Sequence, residues 1–233
     1  MDQGASETGT AAGHAGRLKD DPDMFYLLRE FETLYRHGSD GGSRTIRAHR
    51  RRVREALSAA IASDPAMIAR AAAAKPITGH LSRALDLGER GAMAAMARAL
   101  RAVRTRLTWE YGYERMPAAL ARKYAYCEVV GPRGPVTCDS LILGFVLFAP
   151  DTTYPQHSHH DIEESYVSVA GAWSENDAAV YAPGSLILNR SDEEHRITTG
   201  PVDPCLLAYA WTGTAAALAE PGMKLSPARR RRG

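Results

Sequence analysis

Four of the eight histidines fall within residues 157–195, and three of them, His157, His159 and His160, are nearly contiguous. Side chains alternate along an extended strand, so His157 and His159 point to one side and His160 to the other. Two imidazoles on one strand face, with a carboxylate just beyond them, are three ligands typical of a transition-metal site. One further histidine would complete the ligand set. Such a site keeps coordination positions open for water or a substrate.

The carboxylate of this candidate site is Glu163 or Glu164. A turn over residues 160–163 resets the alternation, after which Glu164 and Tyr166 share one strand face and Val167 lies on the other. We therefore choose Glu164 as the ligand and expect Glu163 to point away. The alternative interpretation is a polar surface cluster of histidines and acids without a metal.

These residues lie in a part of the chain with the texture of a β-structure. After Pro117, short β-branched and aromatic runs are cut by Gly, Pro and Asp turns, as in KYAYCEVV (123–130) and CLLAYAW (205–211). Six or more such runs predict a sandwich or small barrel, which we place at residues 121–215. The remainder, residues 216–233, is predicted to be a C-terminal tail with a basic end.

The preceding part has a helical texture. Asp21 and Pro22 form a helix-start signal, and an amphipathic stripe follows as far as Tyr35. Further helices are predicted near 45–63, 66–87 and 91–110, the second with Pro76 as a candidate break, which gives a helical region over residues 22–120. We expect this region to pack on the β unit, and residues 1–21 to be a disordered leader.

Charge and composition exclude several classes of protein. The formal charge of +2 depends on four arginines at 229–232, so the body is near neutral, which argues against a dedicated nucleic-acid binder. The longest apolar run, residues 141–150, is too short to span a bilayer. Three irregularly spaced cysteines form no disulfide framework, and no secretory signal is visible. We expect a cytoplasmic protein.

The candidate ligands resemble the first motif of the cupin barrel, a double-stranded β-helix. The matching pattern is His157-Ser-His159-x4-Glu164-x6-Gly171. The resemblance implies the fold class α+β, with an N-terminal helical region packed on a C-terminal cupin β-barrel.

The second cupin motif pairs a Pro/Gly turn with a histidine eleven residues after the glycine, and Pro183-Gly184 followed by His195 fits this spacing. The resemblance makes His195 the third histidine ligand. It implies one divalent transition metal, which could be zinc, iron(II), manganese, cobalt or nickel. The implied ligands are His157, His159, Glu164 and His195.

Tyr166, two residues after Glu164, narrows the resemblance. Most cupins place a small or aliphatic residue at this inward position. The pattern HxH…ExY…H resembles the cupin-type dimethylsulfoniopropionate (DMSP) lyases, and the chain is most similar to their DddL family over residues 22–215. The segments that carry the similarity are KYAYCEVVGPRGPVTCDSLILGF and HSHHDIEESY.

This resemblance implies a carbon–sulfur lyase whose substrate is a small zwitterion. The family reaction is β-elimination, which converts DMSP into dimethyl sulfide and acrylate. A divalent metal would act as a Lewis acid on the substrate carboxylate, and Tyr166 would be the general base. Whether Tyr166 also ligates the metal before substrate binds stays open.

Aromatic side chains are expected to hold the sulfonium through cation–π attraction. Tyr154 lies three residues before His157, while Tyr209 and Trp211 share a strand face. Trp173 flanks a predicted hairpin. We favour Tyr154 and Trp211 and include Tyr209 and Trp173 as further substrate-binding candidates.

Two other functions fit the same ligand set. One is a cupin iron(II) dioxygenase that acts on a small molecule, in which Tyr166 has no necessary role. The other is a non-enzymatic, small-molecule-binding cupin, which an attached helix-turn-helix would favour. The helical region could build a homodimer or close over the barrel mouth, and the sequence favours neither.

Overall fold

The protein is represented by a computed structural model that describes residues 14–38, 43–113, 116–222 and 224–225. The α-helices are α1 (Pro22–His37), α2 (Arg44–Ser63), α3 (Leu81–Glu89), α4 (Ala94–Val103), α5 (Ala118–Ala121) and α6 (Ala215–Ala219). The strands are β1 (His14–Arg17), β2 (Ala66–Ile68), β3 (Trp109–Glu110), β4 (Tyr124–Val130), β5 (Ile142–Phe148), β6 (Thr153–Ser158), β7 (Ile162–Ala170), β8 (Trp173–Glu175), β9 (Ala179–Tyr181), β10 (Leu186–Asn189), β11 (His195–Thr199), β12 (Cys205–Gly213) and β13 (Lys224–Leu225).

Two antiparallel sheets build the C-terminal half. Over the described ranges, the larger sheet has the strand order β10-β7-β12-β5-β4-β3 and the smaller one β13-β6-β11-β8-β9. Side chains of the larger sheet alternate between two apolar clusters. Val167 and Ala208 belong to the cluster shared with the helices, whereas Tyr166 and Tyr209 pack in a second cluster with residues of the smaller sheet. The second cluster therefore fills the space between the sheets.

The helices pack on the outer face of the larger sheet, as the sequence predicts. Phe31 of α1 contacts Phe145 of β5 with ring centroids 5.2 Å apart, and α3 contacts β7. The start of α1 is also as predicted, since Asp21 Oδ1 accepts a hydrogen bond from Met24 N at 3.0 Å. Within the described ranges, no helix is both long and apolar enough to cross a bilayer.

The predicted helix over residues 66–87 is wrong in its first part. Ala66–Ile68 form β2, which pairs with β1, and residues 76–80 form a 3₁₀-helix before α3. Ile68 N also donates to Pro135 O at 2.9 Å. Backbone pairing with two distant segments thus outweighs the helix propensity of the local alanines.

The last part of the predicted disordered leader, residues 1–21, has regular structure. His14–Arg17 are a strand, and Leu18 is fully buried. Asp64 holds this segment, because it accepts hydrogen bonds from Arg17 Nε and Lys19 N, both at 2.9 Å. The rest of the leader, residues 1–13, lies outside the described residues.

The predicted tail, residues 216–233, also contains regular structure. Most of α6 falls within it, and β13 pairs with β6, with Leu225 opposite His157. This pairing extends the smaller sheet at the edge that carries a candidate ligand. The basic end, residues 226–233, lies outside the described residues.

Two glycines permit close contacts that shape the barrel. Gly171 follows β7 with φ of +78°, and a Cβ there would lie 2.4 Å from Pro204 O. Gly144 on β5 lies under Tyr209, where a Cβ would approach the Tyr209 ring to 2.8 Å. Gly144 therefore leaves room for the Tyr209 ring inside the barrel.

A buried polar cluster joins the helices to the outer face of β7. His49 of α2 is fully buried, with Nε2 2.8 Å from Ser165 Oγ and Nδ1 3.3 Å from Glu163 Oε2. Tyr35 of α1 makes a hydrogen bond of 2.8 Å with the same Ser165 hydroxyl. Burial lowers the pKa of His49 to about 4, although Glu163 acts in the opposite direction. The imidazole is therefore neutral in the folded protein at neutral pH.

We expect His49 to make the fold sensitive to acid. Between pH 6.5 and about 4 the unfolded chain protonates His49 and the folded chain does not, so the free energy of unfolding falls as the pH drops, by up to about 1.4 kcal/mol per pH unit. His49→Gln removes this contribution, whereas His80→Gln, at an exposed histidine, serves as the control. Urea unfolding from pH 4 to 8 measures the slopes, and equal slopes in wild type and H49Q would contradict the prediction.

Candidate metal centre and cavity

Three strands bring the predicted ligands together. His157 lies on β6 with His159 just beyond its end, Glu164 lies on β7, and His195 begins β11. In the pairing of β11 with β6, His195 lies directly opposite His157. All four side chains are only 1% to 3% exposed, so the alternative of a polar surface cluster does not hold.

The donor atoms of these four side chains converge. One nitrogen or oxygen atom from each lies within 4.8 Å of the others. His157 Nδ1 lies 2.9 Å from Pro155 O, and His195 Nδ1 lies 3.1 Å from Glu193 O. Because a carbonyl only accepts, both Nδ1 atoms carry a proton, so in the neutral form of each ring the Nε2 lone pair is available to bind a cation.

Several buried polar atoms at this point are without a hydrogen-bond partner among the described residues. They include His195 Nε2, both ring nitrogens of His159, and Glu164 Oε2. His195 Nε2 approaches Glu164 Oε2 to 2.9 Å, and His159 Nε2 approaches it to 3.4 Å, without hydrogen-bond geometry. An unsatisfied buried polar group costs about 1–3 kcal/mol. The donor set of three imidazoles and one carboxylate fits a divalent transition metal, which would satisfy these atoms together.

The protonation states of Glu164 and His157 suit a cation. Burial alone would raise the pKa of Glu164, but the facing imidazoles of His159 and His195 outweigh burial and hold this pKa well below its ordinary value. Burial lowers the pKa of His157 to about 3, and the neighbouring His195 adds to this effect. Burial alone would lower the pKa of His195, but its contact with Glu164 outweighs burial and raises this pKa above its ordinary value. Because an ionised carboxylate and a neutral imidazole are the forms that ligate metals, a cation would displace any proton on His195 Nε2.

Tyr166 lies beside these side chains. It follows Glu164 on the same inward face of β7, is 5% exposed, and has its ring centroid 6.2 Å from that of His195. Burial raises the pKa of Tyr166 well above 10, and the Glu164 carboxylate raises it further. With these neighbours alone, the phenol keeps its proton at neutral pH.

A cavity of about 290 Å³ opens next to the candidate ligands. Three of the ligands and Tyr166 form part of its wall, and most of the rest is aromatic. The lining residues are Tyr111, Gly112, Tyr113, Tyr124, Tyr126, Arg133, Val146, Phe148, Tyr154, His157, His159, Glu164, Tyr166, Tyr209, Trp211 and Pro221.

Three of the four predicted substrate-binding aromatics, Tyr154, Tyr209 and Trp211, line this cavity. Trp173 does not line it: this side chain is 1% exposed, and its ring packs on Tyr166 at 5.8 Å and on Tyr181 at 5.1 Å. Trp173 therefore supports the Tyr166 ring from outside the cavity wall.

Nine lining residues were not predicted, and five of them, four tyrosines and one arginine, have polar side chains. Tyr124 and Tyr126 alternate on β4, and this period-two pattern in KYAYC is a signal that sequence reasoning could have used. Tyr111 and Tyr113 lie between β3 and α5, and Arg133 follows β4. No local pattern marks these last three, because only the tertiary fold brings their segments to the cavity.

Comparison with solved structures shows the fold. DMSP lyase DddQ from Ruegeria pomeroyi DSS-3 matches with a TM-score of 0.63 at 23% identity, over 87% of this chain and 98% of that chain. A structure described with the DMSP lyases RdDddP and RnDddQII matches with a TM-score of 0.62 at 22% identity, over 88% and 98%. The predicted α+β class, a helical region on a double-stranded β-helix, is confirmed.

Comparison of sequences shows the family. A family model described as dimethylsulfoniopropionate lyase matches residues 49–207. A protein from Cereibacter sphaeroides, assigned as dimethylsulfoniopropionate lyase DddL, is 68% identical over 216 residues, which cover 93% of each chain. These matches favour neither the dioxygenase nor the non-enzymatic alternative. The chain belongs to the dimethylsulfoniopropionate lyase family of carbon–sulfur lyases.

Proposed function

We propose that the chain cleaves DMSP by metal-dependent β-elimination into dimethyl sulfide and acrylate, with Tyr166 as the general base. The observation that carries this proposal is the shared cavity: the Tyr166 phenol and the His157, His159 and Glu164 side chains belong to one wall. A proton acceptor and a cation site thus lie next to one enclosed space of a size suited to a small substrate.

The cavity chemistry suits both ends of the zwitterion. Around the cavity, aromatic faces such as those of Tyr124, Tyr154 and Tyr209 can hold the dimethylsulfonium group through cation–π attraction, worth about 0.5–2 kcal/mol per good contact. The carboxylate end would point toward the four candidate ligands. This orientation places the α-carbon, which lies next to the carboxylate, toward Tyr166.

The proposed elimination uses Tyr166 Oη as proton acceptor in its ionised, phenolate form, which a cation held by the four ligands would favour over the protonated phenol. The Cα–H bond breaks, its electron pair forms the Cα=Cβ double bond, and the Cβ–S bond breaks with its pair retained by sulfur. The proton ends on Tyr166 and the products are acrylate and dimethyl sulfide. A divalent cation held by the four ligands would supply positive charge that acidifies both the substrate α-carbon and the Tyr166 phenol.

Removal of the metal tests this function. After dialysis against a chelator, we expect dimethyl sulfide release to fall at least about 100-fold, because Lewis-acid stabilisation is worth several kcal/mol. Addition of zinc, manganese, iron(II), cobalt or nickel ions should restore it, and a chelator saturated with zinc beforehand serves as the control. Headspace gas chromatography measures the product. Full activity in a protein shown to be free of metal would reject metal dependence.

A further inference from the structure

Trp211 contacts two of the four candidate ligands. It lies on β12 directly opposite Glu164 of β7, and its indole Nε1 donates a hydrogen bond of 2.6 Å to Glu164 Oε1. Its ring also lies against His159, with centroids 4.5 Å apart. Trp211 is 9% exposed and Glu164 1% exposed, so this hydrogen bond is shielded from water.

We propose that Trp211 is a positioning residue that makes Glu164 a one-oxygen ligand of the metal. This inference rests on the proposed function, since it requires the four side chains to hold a metal ion. It differs from the role expected from the sequence, in which Trp211 offers its aromatic face to the sulfonium. In the proposed role, the indole N–H group rather than the aromatic face positions Glu164.

The two oxygens of Glu164 have different surroundings. Oε1 accepts the short hydrogen bond from the indole, which is charge-assisted because the carboxylate is ionised. Oε2 faces His159 and His195 and has no hydrogen-bond partner among the described residues. The indole therefore occupies one carboxylate oxygen with a hydrogen bond and leaves the other oxygen facing the imidazoles.

This arrangement has a consequence for coordination. A carboxylate that binds through both oxygens occupies two positions on a metal, whereas one held by Trp211 occupies one. Three imidazole nitrogens and a single oxygen then leave other positions open for the substrate carboxylate. The indole N–H of Trp173, in the same barrel, differs from that of Trp211, because it donates to no partner among the described residues.

The experiment separates the N–H group from the aromatic face. Trp211→Phe keeps a ring in the cavity wall but removes the donor, and replacement of Trp211 by 3-benzothienylalanine removes the donor while it keeps the indole shape. Trp109→Phe, at a buried tryptophan that does not line the cavity, is the matched control. Equilibrium dialysis gives the Kd for zinc, and the visible absorption spectrum of the cobalt(II) form reports coordination number.

We expect both Trp211 replacements to raise the zinc Kd by about 10- to 100-fold, as is typical for loss of a hydrogen bond to a metal ligand. The cobalt(II) absorption should weaken, because the released Oε1 can bind and raise the coordination number. Trp109→Phe should change neither quantity. If either folded Trp211 replacement binds zinc with wild-type Kd and an unaltered cobalt(II) spectrum, the positioning role is refuted while the proposed function stands. If the wild-type protein itself binds no zinc or cobalt, both proposals fail.

Discussion

Tyr166→Phe is expected to lower dimethyl sulfide release by about 10²- to 10⁴-fold, the range over which general bases contribute. The substitution removes only the phenol oxygen. The ring keeps its contacts with Trp173 at 5.8 Å and His195 at 6.2 Å, so the barrel and the candidate ligands should be undisturbed. Metal content, measured by mass spectrometry of the folded variant, should equal that of wild type.

A kinetic comparison separates this role from substrate binding. Loss of the base should lower kcat and leave KM for DMSP nearly unchanged, because the aromatic wall remains. Tyr181→Phe is the control, since Tyr181 also packs on Trp173, at 5.1 Å, but does not line the cavity. If Y166F kept wild-type kcat, another group would have to be the base.

Three of the candidate ligands, His157, His159 and Glu164, could be predicted from the sequence because their spacing is local, whereas His195 was implied only by the resemblance to cupins. Strand alternation correctly places Glu164 and Tyr166 on the inner face of β7 and Val167 on the helix-facing side. The same rule puts Tyr209 and Trp211 on one face of β12. A period of two needs no knowledge of the partner strands.

Features that depend on pairing between strands far apart in the sequence could not be predicted from the sequence. Tyr111 and Tyr113 reach the cavity because β3 pairs with β4, which adds the end of the predicted helical region to the larger sheet. Residues 66–68 form a strand because β1 offers them a partner. Local propensity carries no information about such partners.

The helical region also contacts the strand that carries Glu164, and the sequence composition does not indicate this contact. On β7, Glu163 and Ser165 flank Glu164 and point to the outer face, where both lie within hydrogen-bond distance of His49. The helices thus contact the backbone segment that carries the carboxylate ligand. No local sequence pattern singles out His49, because this proximity exists only in the fold.

His195→Ala is expected to abolish both metal binding and lyase activity. The imidazole would supply one of the three nitrogen ligands, since its Nε2 faces Glu164 Oε2 at 2.9 Å and its Nδ1 donates to Glu193 O. Loss of a direct ligand should raise the Kd for zinc by more than the roughly 10- to 100-fold typical of an outer-shell change. Dimethyl sulfide release should then fall to background at micromolar metal.

Metal-dependent stability provides a second measurement for the same variant. An ion that binds only the folded state stabilises it by about 2.7 kcal/mol at a concentration of 100 times Kd, so zinc should raise the Tm of wild type but not of H195A. His160→Ala is the matched control, because His160 neighbours His159 yet is exposed and contacts Asp192 at 3.0 Å. A zinc-induced rise in Tm that was the same in H195A and wild type would place the metal elsewhere. A loss of the rise in H160A as well would mean that general surface binding, rather than the four buried side chains, produces the effect.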